Sequence, residues 1–333
     1  MMRLVLLYGP HDIRIYQTDK PKPASKKETL IKVRACGICS TDLRFFEGTR
    51  KPATYPITLG HEIAGETVSE SQRGSQKLMV ALGRVSCGQC EYCRTGLSNL
   101  CAHSSFVASG FGEYAIYPTS NLVQVPEFIP ANVACLAEPV GCCINGLQKL
   151  SLNEKSEVMI IGDGSICMIF TQLLNLKGVK HIHVIGHHNE RLELCHKFGA
   201  TSTTNTRNVG LADRISHLSL RNAFDVVIVA AGNLAAYFDG LRILSKRGRL
   251  LAFSSIYPEE RIPVDFDGLR RNEYSIVGSY ECAKEHVKSA LALMKKGDIQ
   301  LKPIITHVYE LDELENAFSL ILQRRAIKVV INP

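Results

Sequence analysis

The stretch from Glu157 to Cys167 decides the fold of this chain, and it reads Glu-Val-Met-Ile-Ile-Gly-Asp-Gly-Ser-Ile-Cys. A short apolar run that leads through a glycine-rich turn into a second apolar segment is typical of a buried strand followed directly by a helix. Glycines at 162 and 164 let backbone N–H groups approach a pyrophosphate, which binds at the positive end of such a helix. The pattern predicts a dinucleotide-binding turn.

The fingerprint of these turns has a third glycine, where this chain has Cys167. Cysteine is small enough to permit close packing between helix and strand. A turn with two of the three glycines also occurs as a plain strand-to-helix connection, which stays the alternative. The cofactor-binding residues predicted in this turn are Gly162, Gly164, Ser165 and Ile166.

Apolar strands continue to alternate with helical stretches downstream of the turn. The predicted strands begin at Val158, His183, Asp225 and Arg249, and a helix is predicted from Lys284 to Lys296. Strands that alternate with helices indicate a parallel sheet covered on both faces. We therefore predict an α/β fold with a doubly wound parallel sheet.

The first 130 residues have a different pattern. Segments such as 30–34 alternate apolar and polar side chains, and prolines separate them, which predicts a mostly β domain. A chain of 333 residues exceeds the usual single domain, so two domains are expected. The tail from Ile304, with a helix at 311–323 and a strand from Lys328, is predicted to return to the first domain.

The end of the second predicted parallel strand bears on the choice of cofactor. NAD sites place Asp or Glu there to bind the ribose hydroxyls, whereas this chain has Gly186, His187 and His188. Glycine makes room for a 2′-phosphate, and His187, His188 or Asn189 can donate hydrogen bonds to it, which favours NADP over NAD. Arg191 is also predicted to bind the cofactor. The alternative is a solvated turn from which Glu190 reaches the ribose. A histidine metal cluster is disfavoured, because strand alternation directs neighbouring side chains to opposite faces.

Cys87, Cys90, Cys93 and Cys101 form the most specific motif of the chain, with spacings of two, two and seven residues. Four thiolates on one loop can close a tetrahedral shell, which predicts a structural zinc site. An iron–sulfur cluster is the main rival. A nucleic-acid zinc ribbon is disfavoured because the flanking residues lack interleaved aromatic residues and clustered Arg or Lys.

A second candidate metal site lies between Cys39 and Glu62. Cys39, His61 and Glu62 offer a thiolate, an imidazole and a carboxylate, the ligand types of an open catalytic zinc site. Thr41 places a hydroxyl two residues after the thiolate, where it can contact a substrate oxygen and a proton path. Asp42 can orient the imidazole through a hydrogen bond.

Composition narrows the classes of protein further. The net charge of +7 is modest and spread along the chain, which fits anionic small molecules at least as well as nucleic acid. The sequence has no apolar run long enough to span a membrane and no export signal in its opening residues, so we predict neither a nucleic-acid nor a membrane partner. Twelve cysteines without an export signal suggest reduced thiols and a cytoplasmic location.

Together these motifs resemble the zinc-dependent medium-chain dehydrogenase/reductase superfamily, and within it the sorbitol (polyol) dehydrogenase branch. The resemblance spans nearly the whole chain and rests on Gly-Ile-Cys-x-Thr-Asp at 37–42, Gly-His-Glu at 60–62, the four-cysteine loop, Ala-Glu-Pro at 137–139, the Gly-x-Gly turn and Lys-Val-Val at 328–330. It implies a GroES-like catalytic domain at residues 1–130 and 299–333 and a Rossmann domain at 131–298.

The resemblance also implies the chemistry. A catalytic zinc would be held by Cys39 and His61, with Glu62 and Glu138 ligating directly, through water or in exchange, so that each chain carries two zinc ions. Zinc would lower the pKa of an alcohol, hydride would pass to NAD(P), and Thr41 would shuttle the proton. The superfamily commonly forms dimers or tetramers, so a homodimer or homotetramer is expected.

The substrate is predicted to be a secondary alcohol or its ketone: a sugar alcohol, a cyclitol or an amino-cyclitol. Phe45 follows the relay region, and Glu281 stands near the place where polyol enzymes tend to carry an arginine facing the substrate. A carboxylate at 281 would suit an amino group, unless it only caps the following helix. Two other classes stay open, a zinc-independent quinone or enoyl reductase and a non-enzymatic zinc- and nucleotide-binding protein.

Overall fold

The computed structural model describes residues 1–68, 76–207, 223–256 and 260–333. The chain forms two compact units, the first made of Met1–Gly141 with Glu281–Pro333 and the second of Cys142–Tyr280. The chain therefore leaves the first unit once and returns to it. The predicted domain borders after residues 130 and 298 stay predictions.

The second unit contains a six-stranded sheet in which every pairing is parallel. In chain order its strands are β10 (Glu157–Ile161), β11 (His181–Gly186), β12 (Ser202–Asn205), β13 (Phe224–Val229), β14 (Leu244–Ala252) and β15 (Ser275–Gly278). Their spatial order is β12-β11-β10-β13-β14-β15. Numbered within the unit this is 3-2-1-4-5-6, the order of a doubly wound dinucleotide-binding sheet.

Apolar residues explain why these segments are strands and where the core of this unit lies. Met159, Val227 and Leu250 are almost completely buried, as expected for strands that are covered on both faces. Among its described residues, the helices that lie wholly within the unit are α5 (Ser165–Leu176), α6 (Asn189–Lys197), α7 (Leu234–Ile243) and α8 (Phe266–Asn272). Helix α4 (Ala137–Gln148) begins in the first unit and ends in the second.

The first unit is built mainly of β-strands. Its seven-stranded sheet has the order β16-β17-β3-β4-β5-β9, with β8 paired to β3. The strands are β3 (Glu28–Gly37), β4 (Glu62–Thr67), β5 (Leu78–Ala81), β8 (Tyr114–Pro118), β9 (Leu122–Gln124), β16 (Ile305–Glu310) and β17 (Lys328–Asn332). Two smaller sheets pair β1 (Met2–Gly9) with β2 (Asp12–Thr18) and β6 (Arg84–Val85) with β7 (Ser105–Phe106).

Five helices complete the first unit as far as it is described: α1 (Ser40–Phe46), α2 (Glu91–Arg94), α3 (Ala131–Ala134), α9 (Lys284–Lys296) and α10 (Leu314–Leu322). Phe111, Phe318 and Val329 are fully buried in one core, so the C-terminal helix and strand pack with the N-terminal sheet. This placement confirms the predicted return of the tail.

The predicted fold class is confirmed, since the chain contains a doubly wound parallel sheet and a mostly β unit. The predicted strands from 158, 183, 225, 249 and 328 and the helix at 284–296 are present. Strand β12 was not predicted, because its residues Ser-Thr-Thr-Asn are polar and it lies at the sheet edge. Within the described residues, no helix is both long and apolar enough to cross a membrane.

Candidate functional site

Asp42 joins the two segments that carry Cys39 and His61. Strand β3 ends at Gly37, and Cys39 is the residue immediately before helix α1. Asp42 lies in the first turn of that helix, where Oδ2 accepts from the Cys39 backbone N–H at 3.0 Å and Oδ1 accepts from the Gly60 N–H at 3.0 Å. Its side chain is only 2% exposed. One buried carboxylate therefore holds the thiol-bearing and imidazole-bearing backbones together.

The electrostatics of His61 follow from the same carboxylate. His61 Nδ1 lies 3.6 Å from Asp42 Oδ1. Burial alone would lower the pKa of His61, but Asp42 and Cys39 outweigh it and raise that pKa well above its ordinary value. Burial alone would raise the pKa of Asp42, and the charge of His61 outweighs it and lowers that pKa. A carboxylate beside Nδ1 favours the tautomer that leaves Nε2 as a metal ligand.

Glu62 is paired with a lysine from the far end of the chain. Lys328 Nζ donates to Glu62 Oε1 at 2.6 Å and to the Ile38 carbonyl at 3.0 Å. Burial alone would lower the pKa of Lys328, but Glu62 and then Cys39 outweigh it and raise that pKa. The other oxygen, Oε2, is buried without a hydrogen-bond partner. A Cβ at Gly37 would lie 2.1 Å from it, so only glycine fits there.

These residues fit a zinc ion by their donor chemistry. Cys39 is close enough to His61 to help raise its pKa, so the two residues offer one sulfur and one nitrogen donor in the same region. The orphaned Glu62 Oε2 is a third potential donor, because an unpaired buried carboxylate oxygen is costly and a cation would satisfy it. Over the described residues, however, Cys39, His61 and a carboxylate do not form a group whose three ligand atoms all lie within 4.8 Å of one another.

Glu138 is grouped with Cys282 rather than with Cys39 and His61 among the described potential metal ligands. It lies in the first turn of helix α4, and its carbonyl accepts a hydrogen bond from Cys282 Sγ at 3.7 Å. A carboxylate oxygen of Glu138 and Cys282 Sγ lie within 4.8 Å of one another. The role of Glu138 as a zinc ligand therefore stays a prediction.

Helix α1 positions the other two residues predicted around Cys39. Thr41 is in its first turn, two residues after the thiol, and is partly exposed. Phe45 is near its end, where the ring packs against the apolar core of the first unit and faces the guanidinium of Arg50 at 4.9 Å from the ring centroid. Their proton-shuttle and substrate roles stay predictions.

Glu281 forms a double ion pair with Arg84. Arg84 Nη2 donates to Glu281 Oε1 at 2.6 Å, Nε donates to Oε2, and Nη1 donates to Ser104 Oγ at 2.5 Å. Helix α9 is instead preceded by Ala283, whose N–H donates to His286 Nδ1. The Glu281 side chain is 22% exposed, so its charge is largely balanced by Arg84 rather than by solvent.

The four cysteines of the 87–101 loop converge. Their sulfur atoms all lie within 4.8 Å of one another, with separations of 4.0 Å for Cys87 and Cys93, 3.5 Å for Cys90 and Cys93, and 3.8 Å for Cys90 and Cys101. A tetrahedron with zinc–sulfur bonds of about 2.3 Å has sulfur–sulfur edges of about 3.8 Å. The loop fits one tetrahedral ion, whereas a polynuclear cluster spreads its cysteines over several irons.

Backbone donors prepare these thiols for metal binding. The Cys93 and Ala102 N–H groups lower the pKa of Cys90 to about 6, so this residue is a thiolate at neutral pH. Burial, followed by the neighbouring Cys90, raises the pKa of Cys93 to about 11. Cys93 therefore keeps its proton at neutral pH, and a metal ion that binds its sulfur would have to displace that proton.

The glycine-rich turn of the second unit has open space for a phosphate. Gly162 has φ +125°, and its N–H donates to the Ile185 carbonyl at 2.8 Å. Gly164 precedes helix α5, no side chain caps that helix, and a Cβ on Gly164 would meet no described atom within 4 Å. Ser165 and Ile166 form the first turn of the helix. Free N–H groups beside open space are what a pyrophosphate requires.

Asp163, between those glycines, contacts the end of strand β11. Its Oδ2 accepts from the His187 N–H at 2.7 Å, from the His188 N–H at 2.9 Å and from His188 Nδ1 at 2.9 Å. Arg191 Nη1 lies 3.8 Å from Oδ1. A Cβ built on Gly186 would lie 2.5 Å from the Asp163 Cβ. A carboxylate is therefore present at the strand end where the sequence placed none.

Sequence reasoning missed three charged residues that the structure brings to these sites: Lys328, Arg84 and Asp163. Their partners are distant in sequence, by 266 residues for Lys328 and Glu62 and 197 for Arg84 and Glu281. Lys328 could have been suspected, because a charged residue opens an otherwise apolar strand. No local signal marks Arg84.

Comparisons with known families cover nearly the whole chain. Residues 25–127 match the alcohol dehydrogenase GroES-like domain, and residues 131–332 match the glucose dehydrogenase C-terminus. A sorbitol dehydrogenase from Halalkalibacterium halodurans is 30% identical over 95% of this chain and 94% of its own length.

Two solved structures have the same fold over the full chain. A zinc-binding dehydrogenase from Sinorhizobium meliloti 1021 bound to NADP has a TM-score of 0.87 and 26% identity, covering 100% of this chain and 99% of its own. A protein from Escherichia coli CFT073 described as a short chain alcohol dehydrogenase complexed with NADH has a TM-score of 0.89 and 25% identity, with the same coverage.

Proposed function

Because the chain belongs to the zinc-binding medium-chain dehydrogenase/reductase superfamily, in its polyol dehydrogenase-like branch, we propose that it transfers hydride between a secondary alcohol and a nicotinamide dinucleotide at a zinc site containing Cys39 and His61. The observation that carries the proposal is Asp42, whose one buried carboxylate accepts from the Cys39 N–H and faces the His61 imidazole. Such a carboxylate orients a metal-binding imidazole.

The residues of the first unit would have separate roles in metal binding and proton transfer. Cys39 and His61 would hold zinc, with Glu62 or Glu138 completing the ligand set. When bound, zinc would supply Lewis acidity that lowers the pKa of the alcohol. Asp42 would fix the imidazole, and Thr41 would accept the hydroxyl proton and pass it toward solvent. Lys328 would hold Glu62 in place and balance its charge.

A second zinc is proposed at Cys87, Cys90, Cys93 and Cys101. This ion would be structural, because four thiolates leave no coordination position for a substrate. Its support is the near-tetrahedral spacing of the sulfur atoms. We expect two zinc ions per chain.

The substrate class proposed is a sugar alcohol or cyclitol. The amino-cyclitol alternative needs Glu281 to face an amino group. A carboxylate whose two oxygens accept from Arg84 attracts a further cation less strongly, which favours neutral polyols. A panel of sugar alcohols, cyclitols and amino-cyclitols measured with each nicotinamide cofactor would separate these substrates, and a clear preference for the amino compounds would contradict this choice.

Replacing Cys39 tests the proposal. We expect Cys39→Ser to remove about one zinc per chain and to reduce kcat by at least about 100-fold, because the thiolate is a direct ligand. Metal content would be measured by atomic emission and turnover by nicotinamide absorbance. Cys195→Ala, which removes a buried thiol of the second unit, is the matched control and should retain both zinc ions and activity.

A folded Cys39→Ser variant with wild-type turnover would contradict the zinc mechanism and favour a zinc-independent reductase. Wild-type protein that binds zinc and dinucleotide but turns over no alcohol, ketone, quinone or enoyl compound would favour a non-enzymatic binding protein. Circular dichroism would establish that the variant is folded before its rate is interpreted.

A further inference from the structure

The space above Gly186 is already occupied. From the sequence, this glycine was interpreted as making room for a 2′-phosphate. In the structure a Cβ at Gly186 would lie 2.5 Å from the Cβ and 2.6 Å from Oδ2 of Asp163, so the side chain of Asp163 fills that room. This side chain is only 10% exposed and is part of a packed turn. A phosphate could enter only if Asp163 moved.

The donors that would bind a phosphate are also engaged. Consecutive backbone N–H groups form the usual cradle for an anion, and here the N–H groups of His187 and His188 both donate to Asp163 Oδ2. The His188 ring donates to the same oxygen through its Nδ1–H, because an ionised carboxylate can only accept. The Asp163 carboxylate thus occupies the position at the end of strand β11 where a bound anion would accept from these N–H groups.

The charges around this carboxylate are nearly balanced. Burial alone would raise the pKa of Asp163, but the His187 and His188 N–H groups and the His188 ring outweigh it and lower that pKa. The carboxylate is therefore ionised at neutral pH. Arg191 Nη1 lies 3.8 Å from Oδ1, which is beyond hydrogen-bond distance. One arginine opposed by one carboxylate leaves little net positive charge for a phosphate dianion.

A ribose with two free hydroxyl groups, as in NAD, needs a hydrogen-bond acceptor, whereas a 2′-phosphate needs donors and positive charge. Dinucleotide sites that take NAD use a carboxylate at the end of the second parallel strand to accept the ribose hydroxyls. Strand β11 is the second strand of this sheet, and the Gly162 N–H bonded to the Ile185 carbonyl brings the glycine-rich turn against its end. Asp163 Oδ1 is the carboxylate oxygen that remains to accept a hydroxyl.

We propose that Asp163, from within the glycine-rich turn, performs the role that an acidic residue at the end of the second strand performs in other dinucleotide sites, so that the protein selects NAD and excludes NADP. This inference rests on the proposed dinucleotide site and deepens it. It reverses the preference for NADP expected from the sequence, because that expectation depended on the absence of a carboxylate at this place.

Binding measurements test the proposal without turnover. The purified zinc-loaded protein would be titrated separately with NADH and NADPH, and Kd would be measured from nicotinamide fluorescence. We expect the wild type to bind NADH more tightly by at least about 10-fold. In Asp163→Asn, which keeps the shape but removes the charge, NADPH should gain affinity and NADH should lose it, shifting the ratio by about 10-fold or more.

Two substitutions of neighbouring carboxylates provide the comparison. Glu190→Gln tests the rival in which Glu190, exposed at the start of helix α6, accepts the ribose instead. Glu193→Gln removes an exposed carboxylate from the same helix and should leave the ratio unchanged. Asp163→Ser provides a second test if Asp163→Asn does not fold, and it should also admit NADPH because it opens the space above Gly186.

The possible results separate a failure of this inference from a failure of the proposed dehydrogenase function. A wild type that binds NADPH more tightly than NADH overturns the inference whatever the variants do. A folded Asp163→Asn variant with an unchanged ratio of the Kd values for NADH and NADPH also overturns it. The inference fails too if Glu190→Gln shifts that ratio and Asp163→Asn does not. In these cases both nucleotides still bind and the proposed dehydrogenase function stands. If neither nucleotide binds the wild type at millimolar concentration, the dinucleotide site itself is refuted.

Discussion

Lys328 is a buried cation whose ammonium group has one charged partner in its hydrogen bonds, Glu62, beside the carbonyl of Ile38. Its side chain is 6% exposed and that of Glu62 is 2% exposed, and the two form an ion pair of 2.6 Å. A pair desolvated to this degree adds little stability relative to two apolar residues, but breaking it leaves one charge buried and unpaired. The pair therefore specifies where the Glu62 carboxylate lies beside the candidate zinc ligands.

At the residue scale, Lys328→Met is expected to lower the free energy of unfolding by about 3 to 5 kcal/mol, because it leaves the Glu62 carboxylate uncompensated. Urea unfolding followed by circular dichroism would measure the loss. The double variant Lys328→Met/Glu62→Gln should recover part of the lost stability, because it also removes the unpaired charge of Glu62. Lys296→Met, on an exposed lysine of helix α9, is the control. A Lys328→Met protein as stable as the control would contradict this account.

In the proposed zinc site, the loop that contains the four cysteines would depend on the metal more than on packing. Helix α2 has four residues and none of them is buried, and strands β6 and β7 have two residues each. Isolated helices of this length are unstable in water. With so little apolar burial, we expect most of the free energy that orders this element to come from the proposed thiolate coordination.

At the element scale, we expect chelation of zinc to expose four thiols at once. In the zinc-loaded protein Cys87, although exposed, should react slowly with a thiol reagent because its lone pairs are engaged by the metal. After treatment with a strong chelator, Cys87, Cys90, Cys93 and Cys101 should titrate together. Rapid modification of Cys87 in the zinc-loaded protein would show that the loop holds no metal. The buried pair Cys167 and Cys195 should stay unreactive in both states.

Each of the two compact units has an apolar core of its own. The core of the first unit includes Leu7, Phe111 and Phe318, and that of the second includes Met159 and Val227. The glycine-rich turn and its carboxylate belong entirely to the second unit. A ligand bound there stabilises the native state of that unit in proportion to its concentration and affinity.

At the scale of the whole molecule, we expect dinucleotide binding to slow amide hydrogen exchange most in residues 157–188. At 100 times Kd the gain is about 2.7 kcal/mol, equivalent to about 100-fold slower exchange for amides that open with the unit. Mass spectrometry of peptides from protein with and without NADH would map the effect. The 87–101 loop is the internal reference. Slowing confined to that loop would contradict the assignment of the cofactor site.

The sequence by itself determined the elements and the motifs that depend on nearby residues. Apolar periodicity predicted strands β10, β11, β13 and β14 because a strand buried on both faces must be apolar throughout. Cysteine spacing predicted the four-sulfur loop because all its ligands lie within 15 residues, and the glycines of the turn predicted the phosphate cradle because backbone geometry there is local.

Only the tertiary structure decided the charged pairings. Strand β17 lies beside β3, which brings Lys328 to Glu62, and the chain's return at Glu281 brings that carboxylate to Arg84. The turn after β10 packs against the end of β11, which places the Asp163 carboxylate over Gly186. Which buried charged residues form an ion pair depends on which chain segments the tertiary fold places in contact. The sequence leaves those contacts open, because a charged side chain has the same chemistry whichever partner the fold supplies.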